Sequence, residues 1–241
     1  MMYLSAQPDD VYFTWQLELQ LRNFHSLGIR KEQIHVLFAM NPIAGLNPLV
    51  NEFIANNNEL ALIYCYPDTR LKKKYSPSVR PNIIKQHFKL YPELSDAVIF
   101  YHDSDILLSR IPEIPNLYDD DRCYVSDTRN YLDTNYIKSS GSEKLLEDMA
   151  KVVGISVNDI EKNDAHVGGA QNILKKVDYG FWDKLEGDCE LISDVLESFN
   201  RKKWEYEYPE TRQRRVKTVG IQSWCADMCY IMEFMVLWQM R

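Results

Sequence analysis

AVIFYHDSDILLSRIP, residues 97–112, decides how the chain is read. An apolar run from Ala97 to Tyr101 leads into Asp103 and Asp105, separated only by Ser104, and apolar residues resume at Ile106. Short runs rich in Val, Ile, Phe and Tyr suit a strand buried on both faces. Similar runs occur upstream at MYLS (2–5), IHVLFAM (34–40) and LALIYCY (60–66), which makes AVIFYH (97–102) the fourth. Helix-like stretches separate them: Val11 to Leu27, ended by Gly28; 46–57; and 81–90, opened by Pro81. This β-α-β-α-β-α-β rhythm predicts an α/β fold with a mostly parallel central sheet flanked by helices.

Past Asp105 the rhythm loosens. CYVSD (123–127) reads as a strand, 141–153 as a helix, HVGGAQNILKK (166–176) as a glycine turn entering a strand or helix, and Trp182 to Phe199 as a helix. Residues 200–217 have no apolar period and read as an exposed loop or ribbon, followed by a last helix over about 222–240. No repeat or linker interrupts the 241 residues, so a single domain is expected.

Composition narrows the class. With 45% hydrophobic and 26% charged residues the chain is neither disordered nor a membrane protein, and a net charge of -7 argues against a surface given over wholly to nucleic acid. Five cysteines, with no CxxC pair, read as reduced intracellular thiols. Cys225 and Cys229 stand one helical turn apart but lack histidine partners, and packing explains them better than a metal. The start, MMYLSAQPDD, shows no signal peptide. The apolar CADMCYIMEFMVLW contains Asp227 and Glu233 and is shorter than the roughly 20 residues of a membrane span, so no span and a cytoplasmic location are expected.

In open parallel sheets ligands bind outside the carboxyl ends of the strands, the edge at which Asp103 and Asp105 are expected. Carboxylates one residue apart in an extended segment point the same way and converge on one hard cation. Mn2+ or Mg2+ takes oxygen ligands and keeps positions open for a diphosphate, whose charge it neutralises as the bond to a sugar breaks. An Asp-x-Asp triplet also arises by chance at strand ends and turns, so its place after the fourth apolar run carries the weight. Haloacid-type phosphatases carry such a pair on the first strand and nucleotidyltransferases after a Gly-Ser turn; neither arrangement is found here.

Five segments in order, SVRPNIIKQHF (78–88), AVIFYHDSDILL (97–108), YVSDTRNYL (124–132), VGGAQNILKK (167–176) and SWCADMCYIM (223–232), carry a resemblance to a known family. The chain resembles GT-A-type glycosyltransferases, in particular small bacterial and viral relatives of the peptidyl-serine galactosyltransferase and hydroxyproline arabinosyltransferase group. The resemblance implies one GT-A-like Rossmann-type domain, with 1–110 as the nucleotide-sugar half and 111–241 as the acceptor half, and a UDP-sugar as donor. It implies that Asp103 and Asp105 bind the metal and the donor diphosphate, that Ser104 lies near the ribose, and that Arg80 and Lys85 face the nucleotide or its phosphates. Ala6 and Gln7 would cradle the base. Gly168 and Gly169 would let backbone approach the sugar or acceptor, with the Gln171 amide offered to sugar hydroxyls. Asp227 and Asp127 would be the catalytic carboxylates. One departure stands out: many such enzymes take a further metal ligand, often histidine, near the C-terminus, and no histidine follows His166 here. Either the chain is cut short, or His166, His102 or water completes the shell.

Two basic clusters bear on partners. TRLKKKYSPSVRPNIIK (69–85) carries Arg70, Lys72, Lys73, Lys74, Arg80 and Lys85 without an acid, and serves a donor diphosphate or nucleic acid. Residues 201–217 carry seven basic residues against three acids, interleaved with Trp204, Tyr206 and Tyr208, a pattern suited to phosphates and stackable bases. A glycan, a protein hydroxyl or a hydroxymethylated DNA base are the acceptors considered. The alternatives are a nucleotide-sugar-binding protein without transfer and a metal-dependent nucleotidyltransferase.

Overall fold

Six strands form one mixed sheet in the computed structural model, which describes residues 1–207 and the side chains of all but Tyr131 and 204–207. They are β1 (Met2–Pro8), β2 (Ile34–Met40), β3 (Leu62–Pro67), β4 (Ile99–Tyr101), β5 (Tyr124–Val125) and β6 (Asn172–Leu174), in the order β3-β2-β1-β4-β6-β5. β1 pairs in parallel with β2, Leu4 opposite His35, and with β4, Leu4 opposite Tyr101; β2 pairs in parallel with β3. β6 is antiparallel to β4, with Ile99 opposite Leu174. The α/β fold with a mostly parallel sheet is therefore as expected, and β1 runs three residues further than MYLS.

The first helices also follow the sequence rhythm. They are α1 (Tyr12–Ser26), α2 (Pro48–Asn57) and α3 (Val79–Leu90). Gly28, at φ +78°, takes the left-handed conformation just beyond α1 that a side chain would resist. Asn47 caps α2, its Oδ1 accepting from Leu49 N at 3.0 Å, and Pro48 supplies the pre-set first turn.

Period-two alternation sorts the strand side chains between the faces. Tyr3, Val36, Phe38 and Phe100 pack with Leu17, Leu21 and Phe24 of α1 and Val50 and Phe53 of α2. The other face is covered by α3, which packs on β1, β2 and β3. There the fully buried Trp182 ring meets Phe88 and Tyr101 at 5.9 and 5.4 Å between centroids. Burying one such large side chain contributes roughly 1.5–3 kcal/mol.

Contacts divide the chain into two compact units. The first comprises Met1–Leu71, Val79–Tyr124 and Gln171–Asp183; the second comprises Lys72–Ser78, Val125–Ala170 and the chain from Lys184 on. β6 thus returns to the first unit from the stretch expected to form the acceptor half. Within the second unit are α4 (Thr134–Ser140), α5 (Glu143–Val153), α6 (Val157–Asn163) and most of α7 (Tyr179–Glu207). α5 buries Leu145, Leu146, Met149, Ala150 and Val153 on one side, is capped by Ser142 and ends at Gly154, φ +75°. α7 buries Leu185, Cys189, Ile192 and Leu196 along one seam.

Two expectations are corrected here. α4 and α6 lie in stretches assigned no structure; each is too short to show an apolar period, although their caps, Asp133 and Ser156, are visible in the sequence. Residues 200–207 are not loop but the last turns of α7. RKKWEYE contains no glycine or proline, and adding residues to an existing helix avoids the cost of nucleation. The rest of the 201–217 cluster, with Arg212, Arg214 and Arg215, the expected helix at 222–240, and Cys225, Asp227 and Cys229 lie outside the described residues. Cys65, Cys123 and Cys189 are free thiols, and no helix among the described residues is long and apolar enough to cross a membrane.

Candidate functional site

β2 lies on one side of β1 and β4 on the other, so the connections diverge at the carboxyl ends of β1 and β4. Open α/β sheets leave their ligand crevice at such a switch point. With Leu4 opposite Tyr101, the strands end side by side, Gln7 and Asp9 on one and residues 102–105 on the other.

The acidic pair itself departs from the expected geometry. β4 stops at Tyr101, and Ser104 and Asp105 form a turn, so the pair does not occupy an extended strand. The alternation nevertheless carries on to Ser104. His102 faces α1, its ring 5.4 Å from that of Phe24; Asp103 reaches α3, its Oδ1 2.7 Å from Arg80 Nη1; Ser104 turns back to α1 and donates to Gln16 Oε1 at 2.5 Å. Asp105 is exposed, and no described residue bonds its carboxylate. The Asp103 side chain is 33% exposed. A half-buried carboxylate held by a guanidinium and an exposed carboxylate thus flank a buried serine.

On the face that packs on α1 and α2, the end of β1 carries polar groups that no described residue satisfies. Gln7 is 2% exposed, and neither its amide nitrogen nor its oxygen has a partner among the described residues; the same holds for Ser5 Oγ and Asp9 Oδ1. The other Asp9 oxygen accepts from Asn47 N at 2.7 Å. Burial pushes the Asp9 carboxyl upward, against the pull of that bond. Leaving one buried donor or acceptor unmet costs about 1–3 kcal/mol, so such a cluster is a place where water or a ligand is called for. Ala6, 4% exposed, brings no polar atom of its own side chain.

The remaining residues singled out in the sequence are spread more widely. Lys85 Nζ lies 2.9 Å from Asp183 Oδ1 within the first unit, and Lys74 pairs with Asp194 and Glu197 of α7 at 2.7 and 2.9 Å within the second. The basic cluster at 69–85 is therefore divided among several acids, with Arg70 on Asp68 at 2.9 Å. In the second unit, a Cβ on Gly168 would fall 2.3 Å from Ser126 O, and Gly169 N donates to that same oxygen at 3.2 Å. The close backbone approach seen at these glycines is to residues 125–126. Asp127 is exposed and paired with Arg129 at 2.9 Å, a bond that holds its carboxyl below the usual range. Gln171 is half-buried at the head of β6, and His166 is exposed.

Sequence reasoning missed Asp9, and it missed Gln16, Gln20 and Asn23 of α1, which bond the segment carrying the pair. Their signal was available: three amides at i, i+4 and i+7, each one residue ahead of the apolar stripe Leu17, Leu21, Phe24.

No group of three or more His, Cys, Asp or Glu that could hold a metal occurs among the described residues. Asp103 and Asp105 are oxygen donors of the type that a Mg2+- or Mn2+-like ion takes, one or two to an ion, with substrate phosphate and water in its other positions. No protein-family model and no curated protein matches this chain. What the crevice does has to follow from its own residues. A separate cleft of about 730 Å3 lies at the opposite, amino end of β1, lined by Met1, Tyr3, Gln33, Ile114, Leu117 and Tyr118 among others.

Proposed function

We propose that the protein is a metal-dependent glycosyltransferase that moves a sugar from a nucleotide-sugar donor, a UDP-sugar, to a hydroxyl-bearing acceptor. The observation that carries this reading is the position of Asp103 and Asp105 directly after β4, Asp103 partly exposed and Asp105 exposed, next to the end of β1 at the switch point. Asp103 and Asp105 would hold Mn2+ or Mg2+, which supplies charge neutralisation for a departing diphosphate. Arg80 adds a fixed positive charge at the same place, on the first turn of α3, where the helix N-terminus also favours an anion. The unmet Gln7 amide offers one donor face and one acceptor, the pair that a nucleobase edge presents in reverse. Asp127, one of the two catalytic carboxylates that the resemblance implies, belongs to the second unit, where it is paired with Arg129. Asp227, the other proposed catalytic carboxylate, lies outside the described residues.

The test is thermal unfolding with UDP-glucose and MnCl2. A ligand at a hundredfold excess over its Kd adds about 2.7 kcal/mol, or roughly 5–10 °C for a chain of this size. The shift is expected to need both components and to vanish in Asp103→Asn/Asp105→Asn. An unchanged shift in that double variant overturns the assignment.

A further inference from the structure

α1 carries two adjacent stripes. Leu17, Leu21 and Phe24 enter the core, and one residue ahead of each stand Gln16, Gln20 and Asn23. All three amides bond the segment that follows β4. Ser104 Oγ donates to Gln16 Oε1 at 2.5 Å. Gln20 Nε2 donates to the carbonyl oxygens of Asp103 and Ile106 at 2.9 and 3.3 Å. Asn23 holds Leu108 twice, its Nδ2 donating to the carbonyl at 3.0 Å and its Oδ1 accepting from the N–H at 2.8 Å. His102 Nδ1 lies 2.9 Å from the Asp103 carbonyl; because a carbonyl only accepts, Nδ1 carries the proton and donates.

Residues 103–108 belong to no strand or helix, so their backbone polar groups lack a ladder and need partners from elsewhere. Gln16 and Gln20 are 6% and 1% exposed, which leaves water little access to compete for these bonds. We propose that Gln16, Gln20 and Asn23 are positioning residues, an amide clamp on α1 that fixes the turn at 103–108, and with it Asp103 and Asp105, before any ligand arrives. A pair held in place gives up less conformational freedom on binding than one on a free loop. What the carboxylates hold rests on the glycosyltransferase reading; the clamp itself does not.

The experiment uses the full chain with Gln20→Met, Asn23→Asp and Gln16→Leu, and with Phe88→Leu on the opposite face of the sheet as a comparator of general destabilisation. Amide hydrogen exchange over 102–108 reports the clamp, and titration with Mn2+ plus UDP reports the site. Losing one such bond corresponds to about tenfold, so exchange over 102–108 should rise, and Mn2+–UDP affinity fall, by about that factor in Gln16→Leu and Asn23→Asp and by at least that factor in Gln20→Met, which loses two bonds. Gln16→Glu keeps the acceptor for Ser104 and should restore wild-type exchange. Phe88→Leu should lower the Tm while leaving local exchange and affinity in place. Unchanged exchange in the clamp variants, or an equal rise in Phe88→Leu, overturns the clamp. Faster exchange with unaltered affinity overturns the positioning role. Localised exchange in a chain that binds no Mn2+–UDP even as wild type leaves the clamp standing and refutes the glycosyltransferase reading instead.

Discussion

Mild acid should destabilise this protein through its buried histidines, and His102 lets the effect be measured one group at a time. His35, His87 and His102 are 7%, 0% and 2% exposed. Burial lowers His35 and His102 to about 4; burial and then the neighbouring His35 lower His87 to about 3. In the unfolded chain each titrates near 6.5. The folded form therefore stays neutral while the unfolded form takes up protons, so stability is complete above pH 6.5 and is lost as the pH falls from there toward 4. At about 1.4 kcal/mol per pH unit, each histidine removes about 2 kcal/mol between pH 7.5 and 5.0. His35 and His87 are hydrogen-bonded at 2.9 Å and titrate as a unit, with the Tyr66 hydroxyl 2.6 Å from His87. The total, roughly 4–6 kcal/mol, is a large part of an ordinary domain's stability. The assay is denaturant unfolding at both pH values for wild type and His102→Asn, whose amide keeps a donor near the position of Nδ1 but does not titrate. The difference between the two pH values should shrink by about 2 kcal/mol in the variant. A variant that keeps the whole wild-type difference would refute the reasoning.

Three packing and capping predictions accompany this one. Trp182→Ala empties a fully buried site against Phe88, Tyr101 and Phe181 and should cost about 3–5 kcal/mol in denaturant unfolding; a cost below 1 kcal/mol would mean the site collapses freely. Gly168→Ala places a methyl against Ser126 O and Val125 Cγ2, and should destabilise by about 1–3 kcal/mol, read as a lower Tm. Ser142→Ala removes the bond to Leu145 N at 3.0 Å and should cost about 1 kcal/mol, seen as a lower unfolding midpoint.

The open half of the fold is written locally, and for that reason could be read from the chain. IHVLFAM is β2 to the residue, and α1 to α3 fall close to where apolar spacing and Gly28 place them, because each signal lies within one or two turns of the residues it governs, although α3 begins at Val79, two residues ahead of Pro81. The position of Asp103 and Asp105 after the fourth strand was legible for the same reason. The turn that holds them was not: its partners Gln16, Gln20 and Asn23 lie more than 80 residues away along the chain.

Charge shows the same division. Residues 69–85 contain no acid, yet Lys74 and Lys85 end on Asp194 and Asp183, 120 and 98 residues further on. By itself the amino-acid sequence determined the strand–helix alternation, the buried faces and the address of the acidic pair, since hydrophobic period and backbone preference act between near neighbours. Only the tertiary structure decided the strand order that makes a switch point beside β1, the antiparallel entry of the short β6, and which amides and cations meet which acceptors. Those choices depend on the packing of the whole sheet and on which distant groups can satisfy backbone left without a ladder.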